Sequence, residues 1–200
     1  MRFCAESGAA AFVEEMDIVA AGHAGEAGAV RIAREKFGDM LRRFRKDYAE
    51  HLCEETKAAE RLSELIRAGG EAEAPWEGES CVCIPAGEGG VLAALYRAAK
   101  ERKCGLRILQ KQIPVRQDTI EVCEMYGLNP YRLYTRSALF LCGNGARLAE
   151  RLRERGIPAE RIGYLTAGLD KIIADKTETE YLNRPSADEI FKVLHSPEQG

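Results

Sequence analysis

The residues that could do chemistry fall into three groups. Gly87-Glu88-Gly89-Gly90 stands between a short apolar run and a helix-forming stretch. There it can present backbone N–H groups at a helix N-terminus, a geometry that suits phosphate. Glu88 at the same terminus complements the helix dipole and repels an anion, so a plain strand-to-helix turn is the competing reading. Gly22-His23-Ala-Gly25-Glu26-Ala-Gly28 is a second glycine-punctuated loop, carrying an imidazole and a carboxylate. One histidine and one glutamate are too few for a zinc or iron site, which draws on three or four ligands, so no metal is assigned. Arg116, Arg132 and Arg136 surround Tyr131-Arg-Leu-Tyr-Thr135 and could read an anion with guanidinium forks, or could be ordinary charged helix ends.

The seven cysteines are odd in number and scattered among apolar neighbours, unlike a secreted disulfide framework, and read as thiols. Cys81 and Cys83 alternate along a strand, so both side chains share one face, where small buried residues are the simpler role. No Ser-His-Asp order, P-loop or paired-carboxylate spacing is present, and no catalytic residue is assigned.

Elements must position these groups. Asp17-Ile-Val-Ala-Ala reads as a brief buried strand feeding the first glycine loop, with residues 1–16 a short helix or lead-in. From Ala29 to about Ala68 the apolar residues Leu41, Phe44, Tyr48, Leu52, Ala59, Leu62 and Ile66 predict one long amphipathic helix, broken and N-capped at Gly38-Asp39. Gly69 to Gly78, with Pro75, is an exposed connection and the organisational boundary. It separates residues 1–70, a strand-loop and helical segment, from an α/β core over 79–200, the two making one compact unit. Beyond it, the run around Cys81–Ile84, a helix over 90–103 and a strand at Gly105–Leu109 form a β-α-β unit. A helix over 118–126 closed by Gly127, an apolar strand at 138–142, a helix over 146–155 and a strand at 162–166 follow. Residues 171–174 are expected to pair with that last strand across Gly168-Leu-Asp170. Ser186 is expected to N-cap a final helix through Leu194.

Totals set the class. Two hundred residues, 46% hydrophobic, suffice for a well-packed α/β domain, a mixed sheet with covering helices and an N-terminal helical extension. A net charge of -3 gives no one-signed field for nucleic acid or anionic lipid. No apolar run reaches the ~20 residues needed to cross a bilayer, and a cytoplasmic location is the expectation.

Three segments in this order resemble the C-terminal domain of the AIR synthase-related superfamily, hydrogenase-maturation (HypE-type) branch. The first is Asp17 to Gly28 with the helix start through Lys36. The second is Gly87-Glu-Gly-Gly90 running into Leu92-Ala-Ala-Leu-Tyr-Arg-Ala-Ala99. The most specific is Ile113-Pro-Val-Arg116 through Gly127-Leu-Asn-Pro130, similar to the family's helix between "Ile-Pro" and a "Gly-Leu-(Asp/Asn)-Pro" turn. Leu152 to Pro158 with Ile162-Gly163 also fits.

The resemblance implies an AIR synthase C-terminal-like fold, with ATP or another nucleotide, or phosphate with magnesium, as the ligand class. The candidate ligand- or anion-binding residues, read from the two glycine loops and the arginine cluster themselves, are Gly87, Glu88, Gly89, Gly90, Gly22, His23, Gly25 and Arg116. Departures limit the resemblance. The family's separate ATP-binding domain is not expected in the few residues before Asp17. Where the family reads His-Asp-(Val/Ile)-Thr, this chain has Cys83-Ile84-Pro85-Ala86. The family's carbamoyl-accepting Pro-Arg-Ile-Cys motif is not matched in His195 to Gly200, and its reaction is not expected to carry over. The expectation is an accessory or ligand-binding protein without independent catalysis, a homodimer or bound to a partner protein. The alternative is half of an ATP-dependent enzyme completed in trans by a separate nucleotide-binding domain.

Overall fold

The computed structural model describes residues 16–68, 81–174 and 179–194. The expected lead-in over 1–15, the connection around Gly69–Gly78 and the tail from His195 lie outside the described residues.

Among the described residues, seven strands form one mixed sheet in the order β2-β4-β1-β5-β3-β6-β7. They are β1 (Asp17–Ala21), β2 (Cys81–Gly87), β3 (Gly105–Leu109), β4 (Thr135–Cys142), β5 (Ala159–Thr166), β6 (Lys171–Ala174) and β7 (Thr179–Tyr181). Every pairing is antiparallel except β3 with β6. Strand β1 therefore lies mid-sheet, between β4 and β5. Its Ile18 and Ala20 point to one face and Val19 and Ala21 to the other, and all four are buried. The same holds for β4, whose apolar residues run without alternation because helices cover both of its faces.

Among the described residues, seven α-helices accompany the sheet: α1 (Glu26–Glu35), α2 (Phe37–Arg43), α3 (Lys46–His51), α4 (Lys57–Ala68), α5 (Gly90–Glu101), α6 (Gln117–Tyr126) and α7 (Gly145–Glu154). On one face, Val91, Leu92, Leu95 and Ala99 of α5 pack against Ile18, Leu106, Ile108, Leu139 and Leu141. On the other, Leu62 of α4 and Leu148 and Leu152 of α7 pack against Val19, Phe140 and Ala138. A third cluster joins Ile32 of α1, Met40, Val122 of α6, Leu133 and Ile190. Each fully buried Leu, Ile or Phe here contributes roughly 1.5–3 kcal/mol.

Three sequence expectations give way. The single long helix is four. Gly38 lies inside α2, whose N-cap is Lys36, and the chain leaves helical geometry at Phe44 and Arg45 and again between Leu52 and Thr56. Tertiary packing sets these breaks: Met40 turns fully inward, Leu41 stays 45% exposed, and Phe44 packs edge-on against Tyr48 at 5.3 Å. Thr56 Oγ1 then accepts from Ala59 N and caps α4. Second, β6 does not pair with β5 but runs parallel to β3, which brings Ile173 onto the face of Ile108. Gly105 permits this, since a Cβ there would lie 2.4 Å from the Asp170 carbonyl oxygen. Third, the last helix is a single 3₁₀ turn, Glu189–Lys192. Its cap is Asp188 rather than Ser186.

Candidate functional site

The two glycine turns come to the same edge of the sheet. Strands β1 and β2 run in the same direction on either side of β4, so their C-terminal ends, Ala21 and Gly87, both meet the start of β4. Each strand then passes through glycines of positive φ into a helix: Gly22 and Gly25 into α1, and Gly87, Gly89 and Gly90 into α5. The left-handed conformation at Gly25 and Gly89 makes each an N-cap without a side chain, as glycine allows without strain.

Between these two helix starts lies the segment Pro130–Thr135, and the glycines are there to admit it. A Cβ on Gly25 would lie 2.6 Å from the Pro130 carbonyl oxygen, and one on Gly90 would lie 2.4 Å from that of Tyr131. Gly28 N donates to the Tyr134 carbonyl at 2.9 Å. Thr135 ties the turns together: it is the register partner of Gly87, and its Oγ1 donates to the His23 carbonyl at 3.0 Å.

At the second turn the anion position is occupied from within. The Asp188 carboxylate accepts from Gly89 N at 2.7 Å, from Tyr134 N at 3.1 Å and from Ile190 N at 2.8 Å, and the residue is only 3% exposed. A negative group at a helix N-terminus is favoured by the unpaired amides and the dipole. Arg97, one helical face away, donates to the carbonyls of Ala86 at 2.6 Å and Glu88 at 3.4 Å and fixes the turn from outside. Glu88 itself is exposed. A cleft of about 260 Å³ opens beside Gly89, lined by Leu92, Arg132, Asn183 and Ser186.

At the first turn the polar groups satisfy one another. Glu26 is buried, accepts from Thr56 N at 2.7 Å, lies 3.1 Å from His23 Nδ1 and takes a 3.5 Å contact from Arg116. Burial pushes the Glu26 pKa up, but the hydrogen bonds from His23 and Thr56 outweigh it and hold the carboxyl below its usual 4.5. Arg116 also pairs with Asp118, which sits 3.2 Å from His51 Nε2. Tyr48 donates its single hydroxyl proton toward both Asp118 and Glu121, and its pKa is raised by burial and by those two carboxylates. A second cleft, about 240 Å³, is lined by His23, Glu26, Glu55, Arg136 and Ser137, with Arg136 paired to Glu55 at 2.6 Å.

The structure thus places Gly22, His23 and Gly25 with Arg116 around the first turn, and Gly87, Glu88, Gly89 and Gly90 around the second, on the two flanks of β4. The three arginines do not converge: Arg116 and Arg136 are each paired with carboxylates, and Arg132 lines the other cleft. Asp188 was missed by sequence reasoning; the one signal for it was a cap-competent residue two positions beyond Ser186. Among the described residues no group of three or more His, Cys, Asp or Glu could hold a metal. Burial pushes the Cys83 thiol up to about 11 and Cys123 to about 12, away from nucleophilic character at neutral pH.

No protein-family model matches this sequence, and no curated protein does. Solved structures do. The crystal structure of E. coli HypE, a hydrogenase maturation protein, superposes with a TM-score of 0.68 at 21% identity over 94% of this chain and 55% of that one. HypE in complex with ATP gives 0.64 at 16% identity, over 88% and 52%. The HypE–HypF complex gives 0.58 at 19% identity, over 86% and 53%. The chain spans about half the length of these structures and has the α/β AIR synthase-like fold of HypE, as the three sequence segments implied.

Proposed function

We propose that this chain is an accessory, partner-binding module of the HypE-like type, without independent catalysis. The observation that carries this reading is the Asp188 carboxylate seated on the Gly89 amide, where the glycine turn would otherwise receive a phosphate. His23, Glu26 and Arg116 are likewise committed to each other, so a ligand at either turn must displace internal partners.

A second copy of the chain is the partner this reading favours. On the sheet face that α4 and α7 leave uncovered, Tyr164, Arg107, Ile172 and Tyr181 stand in one cross-strand row. Tyr181 is 64% exposed, and Arg107 has no carboxylate partner among the described residues. Two copies related by a two-fold axis would set each arginine over the other's tyrosine, a cation–π arrangement that is its own complement. The reading also places the protein in the cytoplasm, which the six described cysteines, all thiols, would suit. No helix among the described residues is long and apolar enough to cross a membrane.

The second reading is half of an ATP-dependent enzyme, completed in trans by a nucleotide-binding domain. What supports it is the match to about half of a HypE structure that holds ATP. Hydrolysis of ATP with magnesium by the purified chain, with light scattering on a sizing column, tests the accessory reading, and the enzyme completed in trans requires turnover to appear when a nucleotide-binding domain is added. The accessory reading expects release no faster than the buffer blank and the mass of a dimer. Turnover above the blank would overturn it.

A further inference from the structure

We propose that Cys81 and Cys142 form a peroxide-sensitive thiol pair that closes into a cross-strand disulfide joining β2 to β4. The two cysteines, far apart in sequence, are direct register partners on neighbouring antiparallel strands. Facing residues in such a pair have Cα atoms about 4.5 or 5.5 Å apart, depending on which kind of pair they make. Both values lie inside the roughly 4.4–6.8 Å that a disulfide spans.

Their side chains also share a face. Cys81 and Cys142 both belong to the cluster built on Phe140 and Leu148, on the side of the sheet away from α5. Cys83 lies on that face too, but its register partner is Phe140. That leaves Cys83 diagonal to Cys142, at about 7–8 Å, beyond reach of a bridge without backbone movement.

Access is unequal in the useful direction. Cys81 is half-buried on the edge strand, while Cys142 is fully buried in a central one. A small oxidant therefore meets Cys81 first and leaves Cys142 as the resolving thiol. The next residue along the row is Asp17, whose carboxylate holds the Arg161 guanidinium at 2.6 Å.

The oxidant is hydrogen peroxide. In the first step the Cys81 sulfur attacks one peroxide oxygen, the O–O bond breaks, and a sulfenic acid and one water form. In the second, the Cys142 sulfur attacks the Cys81 sulfur, the S–O bond breaks, and the displaced hydroxide takes the Cys142 proton to leave as water. Two thiols and one peroxide thus give one disulfide and two waters, with two electrons passing from sulfur to oxygen. The bond would fasten the edge strand to the centre of the sheet at the end remote from the Gly87–Gly90 turn.

The test is peptide mapping of the full chain without reductant, after brief exposure to peroxide and alkylation of remaining thiols. The expected result is one linked peptide pair, Cys81 with Cys142, reversed by dithiothreitol, kept in Cys83→Ser and lost in Cys81→Ser. Cys142→Ser puts a hydroxyl into the buried core, so the edge-strand variants carry the test. A sulfenic acid trapped at Cys81 with no linkage, or a linkage through Cys83, would overturn the assignment. So would a linked protein that melts below the reduced one, since the native register would then not accommodate the bond.

Discussion

Replacing Asp188 with alanine removes one carboxylate on which three separate parts of the chain converge. Gly89, Tyr134 and Ile190 each donate a backbone N–H to it, at 2.7, 3.1 and 2.8 Å. The three losses are not equal. Ile190 is 4% exposed, so its amide finds no replacement, and an unsatisfied buried donor costs about 1–3 kcal/mol. Gly89 is half-buried and Tyr134 is 37% exposed, so water recovers much of what those amides lose. Allowing about 2 kcal/mol for Ile190 and about 0.5 kcal/mol for each of the other two amides, the expected total is about 3 kcal/mol. At this chain length 1 kcal/mol corresponds to roughly 2–4 °C, so the melting temperature should drop by about 6–12 °C. Urea unfolding followed by circular dichroism at neutral pH, with a thermal melt alongside, measures both. Asp188→Asn keeps an acceptor for Tyr134 and Ile190 but turns a donor toward Gly89, and should lose about half as much. An alanine variant within about 0.5 kcal/mol of the parent, the range of ordinary surface changes, would refute the claim that this carboxylate holds the turn.

Two further outcomes follow from the same edge of the sheet. Gly90→Ala should destabilise by more than about 3 kcal/mol, because left-handed backbone strain adds to a Cβ placed 2.4 Å from the Tyr131 carbonyl; Gly87→Ala has the same sign of φ with nothing within 4 Å, and should cost only about 1–2 kcal/mol. Equal urea midpoints for the two variants would contradict the close-approach argument. For Glu26, a folded pKa below 4.5 means the carboxylate adds stability above the unfolded value and loses it as pH falls through the folded one. Urea midpoints measured from neutral pH down to about 3 should therefore fall less steeply in Glu26→Gln than in the parent over that acid range, and parallel profiles would count against it.

Much of the sheet was legible in the sequence because its signals are local. Gly105–Leu109 was bounded as predicted, the apolar run Ala138–Cys142 forms the C-terminal part of a central strand, and Gly127 closes α6 in the left-handed conformation. The helical stretch from Ala29 to Ala68 misled because its three breaks contain neither proline nor glycine; they come from where Met40 and Leu62 must go. The parallel β3–β6 pairing and the Cys81–Cys142 register are non-local and leave no mark in spacing. The site shows the same division. Both glycine turns were visible as turns, but their purpose, admitting Pro130–Thr135 between two helix starts, depends on residues brought together only by folding. Asp188 lies far along the chain from Gly89, and no motif links them.

The central claim is that the chain's own groups fill the site its glycine turns would offer a ligand. A thermal-shift titration of the purified protein with ATP, ADP and carbamoyl phosphate, each with and without magnesium, tests it most directly. A ligand at about 100 times its Kd stabilises the native state by roughly 2.7 kcal/mol, well within detection. The account predicts no saturable rise with any of the three, whereas a saturable, magnesium-dependent rise with one of them would contradict it and favour the enzyme completed in trans.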